Sequence, residues 1–316
     1  MFAFAPDGRI FIAYRYGDVK VWDGATLQSY YTVPSVNDYQ DRGLLGMTLD
    51  PNFASNGWVY LGYTYEVNAA DDSGPKINKV FRIRANTPSG NVANATTRQD
   101  LLGTFTTTAA DPSCDEMNGQ QRVWPTNIDC IPVDHWSHAI GNLKFGPDGM
   151  LYVATGDGSS YVPVDARALR TMDLTSLAGK ILRVDPNTGA GLPDNPFWTG
   201  NASDNASKVW AKGVRNAFRF NFKPGTNVMY SGDVGWNVWE EVNVVNPGDN
   251  LGWPCYEGPY EQNGYAVYTV CQDLYDAGTA ELPLYAYEHP PNSAVVGGQF
   301  TGLNSYPPAF QNTSFF

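Results

Sequence analysis

Charge is scarce in this chain of 316 residues: 16% are Asp, Glu, Lys or Arg, and 32 acids against 20 bases leave a formal charge of −12. That balance argues against a nucleic-acid surface and against an anionic membrane partner, since both need clustered cations. No apolar run is long enough to cross a bilayer, so membrane insertion is not expected. Helix signals are nearly missing. Only Asp165 to Leu177 carries one, with Asp165 as N-cap and Leu169, Met172 and Leu177 as apolar positions; a parallel α/β fold needs a helix after almost every strand. Cysteines number four. The pairs Cys114/Cys130 and Cys255/Cys271 lack the short spacing of a zinc site or a redox motif, so two local disulfides and an oxidising compartment are expected. The start, Met1 to Gly8, has neither the basic nor the apolar region of a secretion signal. Tyr306 to Phe316 reads as the opening of a strand, so a chain lacking its signal and part of its last repeat is expected.

What the chain does have is turns and aromatics, with 32 Gly, 22 Pro and 14% aromatic residues. An apolar residue, a proline and a tight turn precede a strand of alternating aromatic and β-branched residues at four places. These are Phe4-Ala5-Pro6-Asp7-Gly8 before Ile10, Leu49-Asp50-Pro51-Asn52 before Trp58, Phe145-Gly146-Pro147-Asp148-Gly149 before Leu151, and Phe222-Lys223-Pro224-Gly225 before Val228. Asp-Gly between such strands is a hairpin signal. The prolines are spaced near one, two and rather less than two lengths of a four-stranded propeller blade. A β-sandwich usually needs far fewer residues, so residues 1–316 read as a single all-β propeller domain. Val21-Trp22-Asp23 does not recur and reads as an ordinary strand end. Asn94, Asn201, Asn205 and Asn312 open glycosylation acceptor patterns, which suit a secreted glycoprotein or simply polar turns.

The segment from Pro132 to Gly158 joins a histidine, His138, to one of the repeat hairpins. Together with Asp41 to Phe53, Leu177 to Asp185, Asp194 to Phe197, Gly213-Val-Arg-Asn216, Gly232 to Asn243 and Gly252-Trp-Pro254, it resembles the glucose/sorbosone dehydrogenase family. The resemblance covers nearly the whole chain in order. It implies a six-bladed β-propeller, with the last blade incomplete here, that oxidises sugars using pyrroloquinoline quinone (PQQ) and calcium. It further implies an extracellular protein with a sugar substrate and a soluble or protein electron acceptor.

Taken by position, the resemblance makes His138 the general base on the sugar hydroxyl, a task suited to an imidazole whose unperturbed pKa is about 6.5. Arg215 matches the arginine beside the quinone, where charge develops late in the reaction. Asn216 matches its polar neighbour. Gly235 and Trp236 align with the loop whose backbone carbonyls hold calcium, an ion that prefers oxygen ligands. Arg42 is a further candidate cofactor contact at the cleft.

Three departures from the family pattern bear on these roles. Phe218 stands where better-known sugar oxidisers place a polar group, Trp236 replaces a proline, and further cofactor-binding cations lie in the family beyond the position of Phe316. A non-enzymatic secreted propeller that binds carbohydrate or protein is therefore the alternative, and a lactonase-like hydrolase is a weaker one. Each residue also has a structural reading. His138 could be a strand-start histidine satisfied by hydrogen bonds, Arg215-Asn216 a tie between blade ends, and the Gly235 loop a tight turn before Trp239. His135 and His289 read as structural, Asp157-Gly158 as a turn, and Lys180 and Arg183 as the exposed face of an alternating strand.

Overall fold

All four recurrent turns close antiparallel hairpins in the computed structural model of the chain, which describes residues 1–66, 69–105, 114, 117, 118, 121, 122, 127–289, 294–302 and 306–315. The turns work locally. Gly149, for instance, has φ +77°, a conformation that only glycine adopts without steric cost.

Four antiparallel sheets follow one another along the chain. The first pairs Phe2–Phe4, Ile10–Ala13, Asp18–Trp22 and Leu27–Thr32 in chain order. In the second, Leu44–Leu49, Val59–Tyr65 and Lys76–Ile83 are joined by both Gln99–Leu102 and Ile131–Val133 on the last of these strands. The third runs Ile140–Phe145, Leu151–Thr155, Lys180–Val184 and Val209–Lys212. The fourth runs Arg219–Phe222, Met229–Asp233, Trp239–Val245 and Tyr285–Glu288. A further pair, Gln299–Phe300 with Ser314–Phe315, follows. This succession of short up-and-down sheets is a β-propeller. Of the six blades that the resemblance implies, four sheets and this strand pair lie among the described residues.

Apolar layers between neighbouring sheets hold the blades together. Leu45, Tyr60 and Val80 of the second sheet pack with Ile140, Leu143, Val153 and Leu182 of the third. Tyr152, Ile181 and Ala211 of the third pack with Phe220, Met229 and Val245 of the fourth. Because sheets press on both sides of a middle strand, Lys180–Val184 is buried at all five positions. That corrects the reading of Lys180 and Arg183 as exposed. Lys180 Nζ donates to the carbonyls of Arg170, Thr171 and Ala178 at 3.1, 2.8 and 2.7 Å. Arg183 is held by Asp148 and Asp194 and lies over the Trp210 ring.

The single helix signal becomes one 3₁₀ segment, Ala166–Thr171, capped by the Asp165 carboxylate accepting from the Arg167 amide at 3.0 Å. Leu169, Met172 and Leu177 are buried as expected. Both disulfides form, Cys114–Cys130 and Cys255–Cys271. The second staples an excursion between the last two strands of the fourth sheet, which carries the helix Thr269–Ala277 and brings Trp253 and Glu257 inward. Asn205 is 1% exposed, and its amide nitrogen donates to the Ile128 and Thr175 carbonyls. That burial rules out a glycan on Asn205 in the folded chain. Among the described residues, no helix is long and apolar enough to cross a membrane.

Candidate active site

Strand register places the key pair. Ile140 is opposite Thr155, so continuing the same ladder two residues outward sets His138 against Asp157. Backbone bonds extend it: the Gly156 amide donates to the Ala139 carbonyl at 2.9 Å and the Gly158 amide to the His138 carbonyl at 3.1 Å. His138 has φ +54°, an uncommon conformation for a residue with a side chain. Gly156 permits it, because a Cβ there would lie 2.2 Å from the His138 carbonyl oxygen.

The His138 ring meets the Asp157 carboxylate, Nδ1 to Oδ1, at 2.8 Å. Asp157 is fully buried and both its oxygens are used: Oδ1 also accepts from the Ser159 amide at 2.9 Å, and Oδ2 from the Trp253 indole Nε1 at 2.7 Å. A carboxylate has no proton to give, so the contact makes Nδ1 the donor and leaves Nε2 as the ring's proton acceptor. Burial, and after it the Arg215 guanidinium, push His138 below its usual pKa and keep the ring neutral. Burial alone would raise Asp157, yet the His138 ring and Arg215 hold it well below the usual carboxylate range.

Arg215 is fixed from several sides. Its amide and that of Asn216 donate to the two Asp233 oxygens at 3.0 and 2.6 Å, so the end of the Met229–Asp233 strand clamps this loop. Its carbonyl accepts from the Asp157 amide at 2.8 Å, linking the third and fourth sheets. The guanidinium gives one Nη1 bond to the Val234 carbonyl at 2.8 Å and lies 5.3 Å from the Trp253 ring centre. Arg215 Nε is buried with no hydrogen-bond partner among the described residues.

The Gly235 loop is shaped by one carboxylate. Glu257 Oε1 accepts from the amides of Trp236, Asn237, Val238 and Trp239 at 2.8, 2.5, 2.7 and 3.2 Å. In a trans peptide the carbonyl points opposite to the following amide, so the Gly235 and Trp236 carbonyls face away from Glu257. Neither accepts a hydrogen bond among the described residues. Behind the loop, burial pushes Asp233 up to about 6. Burial, reinforced by the Asp233 charge, pushes Glu241 up to about 8.

His138, Arg215, Asn216, Gly235 and Trp236 all line one cleft of about 510 Å³, a size that suits a small-molecule site. Phe218 lines it too, with Arg15, Asp41, Tyr161 and His289. Arg42 lies outside that lining, contrary to expectation. It is fully buried, and its guanidinium donates to the carbonyls of Asp72, Gly74 and Val133 at 2.9, 2.7 and 3.0 Å. Asp157 is not the turn residue the sequence suggested; it holds the His138 ring. His289 is a wall of the cleft whose Nδ1 contacts the buried Glu240 carboxylate. His135 keeps a structural role, bonded to Ser137 Oγ at 2.9 Å and tilted against Trp136. Trp253 stands in the Gly252-Trp-Pro254 motif, but that motif does not show its bond to Asp157, and no local pattern marks Glu257.

A sequence model of glucose/sorbosone dehydrogenases matches residues 1–312. Among curated relatives, HIPL2 protein of Arabidopsis thaliana is 26% identical over 291 residues, 84% of this chain but 41% of that protein. This chain therefore spans well under half of that relative. Aldose sugar dehydrogenase YliI of Escherichia coli K12 is 25% identical over 96% of this chain and 71% of its own length. Among solved structures, the PQQ-bound aldose sugar dehydrogenase of Streptomyces coelicolor superposes with a TM-score of 0.61 at 25% identity, covering 91% of this chain and 67% of that one.

Proposed function

Since the chain belongs to the glucose/sorbosone dehydrogenase family, we propose that its cleft oxidises a sugar hydroxyl, taking an aldose to its lactone, with PQQ as the redox group. The observation that carries this reading is the His138–Asp157 pair opening into the same cleft as Arg215 and Asn216. The residues present suit an anionic planar cofactor. Arg215 Nε is buried and unpartnered among the described residues, Arg15 and Arg215 are cations on the wall, and Trp236 lines the same space. Arg215 and Asn216 would hold the cofactor. PQQ, when bound, supplies the acceptor for the hydride that leaves the sugar carbon.

The chain's own part is positioning and proton transfer. His138 Nε2 takes the hydroxyl proton of the sugar, which raises electron density at the carbon that is oxidised. Asp157 keeps that nitrogen in its accepting form and stabilises the imidazolium produced. Arg215 offers fixed positive charge where negative charge accumulates, already desolvated before the reaction begins. The net change removes one proton and one hydride from the sugar. Calcium, an ion that takes oxygen ligands, would be held by the Gly235 and Trp236 carbonyls. A soluble or protein acceptor would then collect the electrons. The two disulfides support an extracellular setting.

Dye reduction tests the proposal, using protein loaded with PQQ and calcium and a panel of aldoses. Sugar-dependent reduction is expected, and His138→Ala should abolish it while PQQ still binds. Binding of sugar without reduction would favour the alternative of a carbohydrate-binding module, and unchanged turnover in His138→Ala would remove that residue as base.

A further inference from the structure

The innermost strands that supply the cleft continue beyond it. Leu45 and Ala139 line the cleft, whereas Met47, Asn142 and Lys144, farther along the same strands, line a second opening of about 740 Å³ together with Arg219, Phe220 and Asn221. Among the described residues its charged side chains are two cations and no carboxylate, and the Met1 amine, which feels the Arg219 charge, belongs to the same lining. In a chain with 32 acids and 20 bases this is unusual. Several buried cations elsewhere sit on acids, Arg170 on Asp134, Arg183 on Asp148 and Asp194, Lys208 on Asp129 and Lys76 on Glu66, while Lys180 and Arg42 are met by three backbone carbonyls each. Burial alone lowers the pKa of Lys144 and brings Arg219 to about 10, with no nearby acid opposing it in either case.

The two cations are also well placed. Arg219 gives one Nη1 bond to the Phe218 carbonyl at 2.7 Å, and its guanidinium carbon lies 3.9 Å from the Phe218 ring centre, which fixes its plane. Phe218 thus serves as a wall of the cleft on one side and a platform for Arg219 on the other. The Asn142 amide donates to the Phe220 carbonyl at 3.0 Å and ties the strand of Lys144 to that of Arg219. A planar guanidinium beside a lysine is a pairing suited to phosphate oxygens, the arginine by paired bonds and the lysine as a point charge.

We propose that this second opening binds a small dianionic oxyanion, a phosphate or phosphate monoester, between Lys144 and Arg219. Such binding does not depend on what the cleft oxidises. Calorimetric titration of the protein at low chloride, first with inorganic phosphate and then with glucose 6-phosphate, tests it. Saturable binding at one site is expected, weakened about tenfold or more in Lys144→Gln and in Arg219→Gln, because each removes a charge-assisted bond. PQQ binding should be unchanged in both variants. Tighter binding of the ester would assign the site to a phosphorylated metabolite, and equal binding to free phosphate. Absence of saturable binding by the unaltered protein, or variants that bind as it does, would overturn the assignment. Should Arg219→Gln fail to fold, Lys144→Gln carries the test, since its side chain makes no hydrogen bond or ion pair among the described residues.

Discussion

Replacing Asp157 by Asn changes one atom type at the centre of the proton-transfer pair, and the structure sets the consequence. Asp157 accepts three hydrogen bonds, from the His138 ring, the Ser159 amide and the Trp253 indole. An amide has one oxygen to offer. If that oxygen stays on Trp253, the new NH2 group faces both the His138 ring and the Ser159 amide, leaves that amide without its acceptor and forces Nδ1 to accept, which moves the ring proton to Nε2 and removes the base. If it stays on His138 and Ser159, the NH2 group meets the Trp253 N–H, and a buried donor is left unsatisfied at a cost of about 1–3 kcal/mol. The first arrangement forfeits general-base catalysis, a loss of about 10²- to 10⁴-fold in kcat. The assay is dye reduction at saturating PQQ, calcium and sugar, with calorimetric PQQ binding as a control for an intact cleft. A variant that binds PQQ normally and turns over within about threefold of the unaltered protein would refute the reasoning.

Other outcomes follow from the same geometry. Glu241 is held above its usual pKa by burial and the Asp233 charge, reaching about 8 from 4.5. A raised carboxyl loses folding stability as pH climbs from the unfolded to the folded value. The melting temperature of Glu241→Gln should therefore gain on the unaltered protein between about pH 4.5 and 8 and then level off; a pH-independent difference would contradict this. Arg42→Met strands three backbone carbonyls, so urea unfolding should show a loss of about 3 kcal/mol while PQQ affinity is kept. Removing the Cys255–Cys271 disulfide, whose cysteines are 16 residues apart, by a double Ala variant should cost about 3 kcal/mol in the same assay. It should also weaken PQQ binding, because Trp253 and Glu257 lie on the stapled excursion.

The hairpins could be read from the sequence because turn chemistry is local: Pro-Asp-Gly closes the same turn wherever it occurs. The His138–Asp157 pair could not. Leu143 opposes Val153, and counting back from that pairing sets His138 opposite Gly158; a bulge between Ile140 and Leu143 shifts the ladder by one residue and delivers Asp157 instead. Lys180 and Arg183, three residues apart, stand on opposite faces of their strand, and neighbouring sheets cover both faces, a tertiary fact that the strand's own residues do not announce. Arg42 reads as a cleft cation by its place in a motif, yet its acceptors Asp72, Gly74 and Val133 lie far along the chain. Glu257 shapes the Gly235 loop from the far side of a strand, and nothing near it in sequence announces that role.

The central claim is that one cleft gathers a proton acceptor, a cation and free carbonyls around a planar redox group. A crystal structure of the protein grown with PQQ and calcium tests it most directly. PQQ is expected within hydrogen-bond reach of Arg215 and Asn216, a calcium ion about 2.4 Å from the Gly235 and Trp236 carbonyl oxygens, and His138 Nε2 facing the cofactor. PQQ bound elsewhere, or a His138 ring turned away from it, would contradict the account.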